Sequence, residues 1–234
     1  MNEKRYLVCS DLHGQYELWK QIKEYITDND ILIFLGDAID RGPHGIKIAR
    51  EMLEDKRVIY LLGNHEDMMI DWFLSQEERE EKELFDLWMQ NGGRPTYEAF
   101  LQLNPKEQKD FILKLLHLDY EMEVEYNDYK VFLNHAGSNP NNNVVHNRYQ
   151  CLWRRDHFHK KWPKGNNDMI IHGHTPYIYM IQEYGVTFQK DSMTYCNGHK
   201  VCLDWGCFAT GIIPLYNLNE KKLQMFFKVD EVEK

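Results

Sequence analysis

Ile31-Leu32-Ile33-Phe34-Leu35-Gly36-Asp37 carries five apolar residues in a row, stops at a glycine and delivers an aspartate. A continuous apolar run of this kind, rich in branched side chains, reads as a strand buried on both faces, and the glycine marks its end. The pattern recurs on either side. Tyr6-Leu7-Val8-Cys9 leads into Ser10-Asp11-Leu12-His13-Gly14, and Val58-Ile59-Tyr60-Leu61-Leu62 into Gly63-Asn64-His65-Glu66. Val131-Phe132-Leu133 leads into Asn134-His135-Ala136-Gly137, and Met169-Ile170-Ile171 into His172-Gly173-His174. Between the first three runs lie two helical stripes, Leu18, Ile22 and Tyr25–Ile26, then Ile46, Ile48–Ala49 and Met52–Leu53. Strand, loop and helix in alternation predict a mostly parallel sheet. The carboxyl ends of such strands face one crevice, where ligands bind. All five polar clusters are therefore expected at one sheet edge.

The rest of the chain changes character. From Met68 to about Leu118 a charged run, Glu77-Glu78-Arg79-Glu80-Glu81-Lys82-Glu83, precedes Leu84, Leu87–Trp88, Asn91-Gly92-Gly93, Phe100 and Phe111–Leu116. This predicts a helical cap inserted over the crevice, the acidic run being a solvated helix face. Trp72, Trp88 and Trp162 are read as core or lid packing. Residues 138–168 are rich in loop signals, with Asn139-Pro140-Asn141-Asn142-Asn143 as a breaker. After Gly185, Val201–Leu203, Ile212–Tyr216 and Met225–Val229 read as short strands, antiparallel and completing a second sheet.

The 234 residues suit one α/β domain, 1–234, and the 43% hydrophobic content suffices for its core. With 28 basic against 37 acidic residues the net charge is −9, which argues against a general nucleic-acid or anionic-membrane surface. No apolar run is long enough to span a bilayer, and no secretory leader is read at the start. Five cysteines without a C-x-x-C pair suggest neither a disulfide framework nor a thiolate zinc site. Buried thiols in a reducing cytoplasm are expected.

The clusters supply Asp, His and Asn but no Cys, a donor set that suits manganese, iron or zinc. Asp11 and His13, two residues apart where a strand opens, can reach one cation. Asp37 can bridge two. Asn64, His135 and His174 arrive from three other strand ends and complete a second site. Two divalent ions against two carboxylates leave a net-positive pit that would bind phosphate. His65 and Asp40 are placed for proton transfer. Arg41 and the pair Arg154–Arg155 offer guanidinium groups that grip phosphate oxygens in pairs.

The series Asp11-x-His13-Gly14, Gly36-Asp37-x-x-Asp40-Arg41-Gly42, Gly63-Asn64-His65-Glu66, His135-Ala136-Gly137 and Gly173-His174 resembles the phosphoprotein phosphatase family of metallophosphoesterases. The bacterial and phage branch, lambda-phosphatase-like, looks nearest. The likeness runs from about residue 6 to Phe208, with five motifs in family order. It implies a calcineurin-like metallophosphoesterase sandwich, α/β with two central mixed sheets flanked by helices. It also implies a first metal site from Asp11, His13 and Asp37, and a second from Asp37, Asn64, His135 and His174. His65 matches the general acid, Asp40 its orienting carboxylate, and Arg41 a phosphate-binding arginine. Asn64 also borders the phosphate, and Trp-x-Arg spacing points to Arg155 as the second arginine. In His172-Gly173-His174 the resemblance selects the second histidine. Ser10 and Ala136 stand where glycine is common, while Trp205 and Thr210 depart from the late Asp-Thr-Gly-Cys stretch beside the expected rim.

The expected activity is phosphomonoester hydrolysis by a metal-bound hydroxide, on phosphoserine or phosphothreonine in a protein or peptide, with manganese the favoured ion. The rival substrate is a dinucleoside tetraphosphate split symmetrically, or another nucleotide. The rival class is an inactive scaffold, which an intact set of ligands and acid disfavours.

Overall fold

The computed structural model describes residues 4–126, 128–138, 147–155, 157–158, 167–189 and 193–230. The breaker Asn139-Pro140-Asn141-Asn142-Asn143 and Trp162 lie outside the described residues. In chain order, β1 (Arg5–Cys9), α1 (Tyr16–Tyr25), β2 (Asp30–Phe34), α2 (Gly45–Glu54) and β3 (Val58–Tyr60) form two βαβ crossovers. Four helices follow, α3 (Asn64–Leu74), α4 (Glu78–Gln90), α5 (Arg94–Leu101) and α6 (Pro105–Leu116). The second half contains β4 (Glu121–Tyr126), β5 (Tyr129–Asn134), α7 (Arg148–Trp153), β6 (Met169–His172), α8 (Tyr177–Tyr184), β7 (Thr194–Tyr195), β8 (Lys200–Cys202), α9 (Cys207–Thr210), β9 (Ile212–Asn217) and β10 (Lys222–Lys228).

Two five-stranded sheets result, ordered β10-β9-β1-β2-β3 and β4-β5-β6-β8-β7. Each is mixed. In the first, β1, β2 and β3 run parallel and β9 runs against β1; in the second, β5, β6 and β8 run parallel and β4 and β7 antiparallel. The two mixed sheets implied by the resemblance are present, but the five polar clusters do not share one sheet edge. The five apolar runs divide between two sheets, three in the first and two in the second. The late strands also divide: β8 joins the second sheet, but β9 and β10 extend the first. The pairing Leu7↔Asn217 bridges nearly the whole chain, and local pattern carries no signal for it.

The apolar runs are continuous because both strand faces are covered. Leu7, Leu32 and Phe34 pack with Leu18, Trp19 and Ile22 of α1 and Ile48, Ala49 and Met52 of α2. Their neighbours Val8 and Ile33 point the other way, onto Val131, Leu133, Ile171 and Val201 of the second sheet. Alternation along a strand sends successive side chains to opposite faces, so each run fills two cores. At about 1.5–3 kcal/mol per fully buried aliphatic side chain, a charge at Ile33, which is 0% exposed, would separate the sheets. No helix among the described residues is long and apolar enough to cross a membrane.

Candidate metal centre

The strand ends of both sheets meet in one buried cluster. Asp11 and His13 follow β1, Asp37 follows β2, Asn64 opens α3 after β3, His135 follows β5 and His174 follows β6. All six are less than 8% exposed. The backbone turns sharply to aim them. Asp11, His13, Asp37, Asp40, Arg41 and His174 all have φ between 44° and 70°, the left-handed region that costs a side-chain-bearing residue of order 1–2 kcal/mol. Strain of this kind persists only where the surroundings over-determine it, and it gathers at functional sites. Room is made by glycine: a Cβ at Gly173 would lie 2.0 Å from Asp11 Oδ2, and one at Gly63 2.2 Å from Asp37 Oδ1.

Two groups of donor atoms converge, and they overlap at Asp37. One comprises His13, Asp37 and His65, the other Asp11, Asp37 and His135, each with ligand-type atoms within 4.8 Å of one another. Asp37 Oδ2 lies 3.6 Å from His13 Nε2 and 3.3 Å from His135 Nε2. Asn64 Oδ1 lies 2.9 Å from His135 Nε2 and 2.8 Å from His174 Nδ1, which ties His174 to the centre through the amide oxygen. Each of the three histidines rests its other ring nitrogen on a backbone carbonyl: His13 Nδ1 on Ile39, His135 Nδ1 on Leu35, His174 Nε2 on Trp153. A carbonyl only accepts, so the anchored nitrogen carries a proton; a cation set between the inner nitrogens and the Asn64 and Asp37 oxygens would take the inner lone pairs. The residues therefore fit divalent cations of intermediate hardness.

The electrostatics agree. Burial drives His13 and His174 well below the usual histidine range, leaving neutral imidazoles. Burial opposes a charge on His135, but Asp37 and Asp11 outweigh it and raise that pKa to about 9. Burial likewise opposes ionising Asp37, yet His135, His65 and His13 hold it well below the carboxylate range. A field that favours a proton beside Asp37 favours a cation there too.

His65, 2% exposed, sets Nδ1 at 2.7 Å from Asp40 Oδ2 and keeps Nε2 at 3.8 Å from Asp37 Oδ2. Arg41 spans the face of the cluster, one guanidinium nitrogen 2.8 Å from His13 Nε2 and another 3.1 Å from His65 Nε2. Arg155 is exposed and donates from Nε to Thr175 Oγ1 at 3.1 Å, one residue from His174. All the expected site residues thus come together, Arg155 at the rim rather than within.

Three residues given no role from the sequence also belong to the centre. Glu66, 0% exposed, accepts from the amides of Asp37, Ala38, Ile39 and Gly63 and from Tyr60 Oη. Burial and Asp37 push its pKa up, but five donors and no acceptor mark a carboxylate. A glutamate at the third helical position reaching back to the residue before the helix is a legible capping signal. Asp204, whose pKa burial lifts to about 6, sits near enough to Asp11 to raise its pKa as well. Val201-Cys202-Leu203-Asp204 ends an apolar run in an acid, the same signal as the other strand ends. Trp88, expected as packing, is fully buried but donates Nε1–H to Asp40 Oδ2 at 2.8 Å.

Comparison with known proteins adds independent findings. The profile of the family described as calcineurin-like phosphoesterase matches residues 4–177. Serine/threonine-protein phosphatase 2 of Salmonella typhimurium is 27% identical over 224 residues, covering 90% of this chain and 91% of its own. A symmetrical bis(5'-nucleosyl)-tetraphosphatase of Buchnera aphidicola subsp. Schizaphis graminum is 30% identical over 135 residues, 56% of this chain and 44% of its own. The crystal structure of a metallophosphoesterase from Sphaerobacter thermophilus superposes with a TM-score of 0.57 at 15% identity, over 98% of this chain and 89% of that one.

Proposed function

The chain belongs to the calcineurin-like phosphoesterase family of phosphoric ester hydrolases, and on that premise we propose that it is a phosphomonoesterase acting on phosphoserine or phosphothreonine in proteins or peptides. The observation that carries the reading is the pair of donor groups sharing Asp37, one with His13 and His65 and the other with Asp11 and His135, with Arg41 across their face. Asp11, His13 and Asp37 would hold one divalent cation, and Asp37, Asn64, His135 and His174 a second, with manganese preferred over iron or zinc. Such cations supply Lewis acidity, lowering the pKa of water and neutralising phosphoryl charge.

The chain's own groups do the remaining work. Arg41 is placed to take two phosphoryl oxygens through its paired N–H groups, and Arg155 to steady the phosphate from the rim, with Asn64 beside it. His65, its Nδ1–H held by Asp40, directs Nε2 to the centre and delivers a proton to the departing alkoxide oxygen. The phosphoprotein reading draws support from the Salmonella phosphatase, which aligns over nine-tenths of both chains. The shorter match to the Buchnera tetraphosphatase supports the second reading, a dinucleoside tetraphosphate hydrolase. Five free cysteines suit a reducing cytoplasm.

The test is a substrate pair at equal concentration with added manganese. Phosphate released from a phosphoserine peptide faster than ADP from diadenosine tetraphosphate supports the first reading, and the reverse order supports the second. His65→Asn should lower kcat by about 10²–10⁴-fold with bound metal unchanged. Full activity in that variant would refute the role of His65.

A further inference from the structure

Asp40 and Arg41 occupy consecutive left-handed positions, φ 70° and 67°, and neither is glycine. Something must hold that turn, and three hydrogen bonds from one short stretch do so. Trp88 Nε1–H donates to Asp40 Oδ2 at 2.8 Å, the Asp40 amide donates to Thr96 Oγ1 at 2.8 Å, and the Arg41 amide donates to the Gly92 carbonyl at 2.9 Å. Trp88 closes α4, Thr96 opens α5, and Gly92 lies in the turn between them.

The turn Asn91-Gly92-Gly93 is shaped for this contact. A Cβ on Gly93 would strike the Trp88 indole at 2.6 Å, and one on Gly92, itself at φ 94°, would lie 3.0 Å from Arg41 Cγ. The indole is packed against Trp72 at 5.2 Å and Tyr97 at 6.2 Å between ring centroids. Packing alone would be served by phenylalanine; the N–H is what reaches Asp40. Asp40 Oδ2 takes both the His65 ring at 2.7 Å and the indole, while Oδ1 is buried with no hydrogen-bond partner among the described residues. Rotation of the carboxylate would break both bonds together.

We propose that Trp88 is a positioning residue for the His65–Asp40 pair, and that α4 and α5 clamp the Asp40–Arg41 turn. The proposal rests on the reading of His65 as general acid. Without the indole N–H, Asp40 turns, His65 loses its anchor, and the proton reaches the leaving oxygen poorly. The loss should grow with leaving-group basicity, because a good leaving group departs without a proton.

The test compares wild-type, Trp88→Phe, Thr96→Val, Thr96→Ser and His65→Asn proteins, each loaded with manganese. Substrates are p-nitrophenyl phosphate, phenyl phosphate and a phosphoserine peptide. Trp88→Phe should lose about twofold in kcat on the first and about twentyfold on the last, a part of the 10²–10⁴ that a positioned acid contributes. Metal content and the far-ultraviolet circular dichroism should stay at wild-type levels. Thr96→Val should follow the same trend, and Thr96→Ser, which keeps the acceptor, should restore it. An equal loss on every substrate, or none on any, overturns the clamp. If His65→Asn itself shows no leaving-group dependence, the acid reading falls and the clamp with it; if it does while Trp88→Phe behaves as wild type, the clamp alone falls.

Discussion

Replacing Glu66 by glutamine changes one atom and should damage both stability and metal binding. Oε1 accepts from Ala38 N at 2.9 Å, Ile39 N at 3.3 Å and Tyr60 Oη at 2.8 Å; Oε2 accepts from Asp37 N at 2.9 Å and Gly63 N at 3.0 Å. A glutamine must point its NH₂ at one of these sets, so at least two donors lose their acceptor and face another donor. Hydrogen bonds to a charged group are worth about 1.5–3 kcal/mol each, which sets the loss at about 4 kcal/mol. For a chain of this length that lowers Tm by about 10 °C. The Asp37 loop loosens in the same stroke, and displacing a support of this kind costs about 10–100-fold in metal affinity. Urea unfolding in EDTA measures the first effect and manganese titration the second. Tyr60→Phe removes one donor only and should lose far less. A Glu66→Gln protein within 1 kcal/mol of wild type, with undiminished manganese affinity, would refute the accounting.

Two further outcomes follow from the geometry. Gly173→Ala places a methyl 2.0 Å from both Asp11 Oδ2 and Ser10 Oγ; bound manganese should fall to a small fraction of wild type while the circular dichroism is retained, and wild-type metal content would contradict the steric reading. His172 is fully buried between Gly173 O and Tyr195 Oη, and burial lowers its pKa from 6.5 to about 4. The unfolded chain therefore binds a proton below pH 6.5 that the folded chain refuses until about pH 4, so the His172 contribution to stability is flat above that window and falls as pH drops through it, by up to about 3 kcal/mol. Urea unfolding of EDTA-treated protein at pH 7 and pH 4.5 checks this, and a His172→Gln variant with an equal slope would contradict it.

The parts of the fold legible in the sequence were those written locally. β1, β2, β3, β5 and β6 announce themselves because each is covered on both faces and stops at a polar cluster. β4, Glu121-Met122-Glu123-Val124-Glu125-Tyr126, escaped notice because it alternates charged and apolar residues at the end of its sheet, where charge outweighs the strand signal. Which sheet each late strand joins is not legible for another reason: β9 pairs with β1 across more than 200 residues, and no local pattern records a partner. The same distinction divides the site. The candidate donor residues and their place after strands are legible directly. The carboxylate of Glu66 gripping the Ala38 amide and the Trp88 indole gripping Asp40 join positions 28 and 48 residues apart. A tryptophan's apolar body accounts for its burial, and its polar handle goes unnoticed until its partner is seen.

The six side chains that the two sheets bring together would, on the function proposed, hold a pair of divalent cations that share Asp37. Crystals grown with manganese and measured near its absorption edge test this directly. The account predicts two anomalous peaks, one beside Asp11 and His13, the other beside Asn64, His135 and His174, both contacting Asp37. A single peak, or peaks away from Asp37, would contradict it.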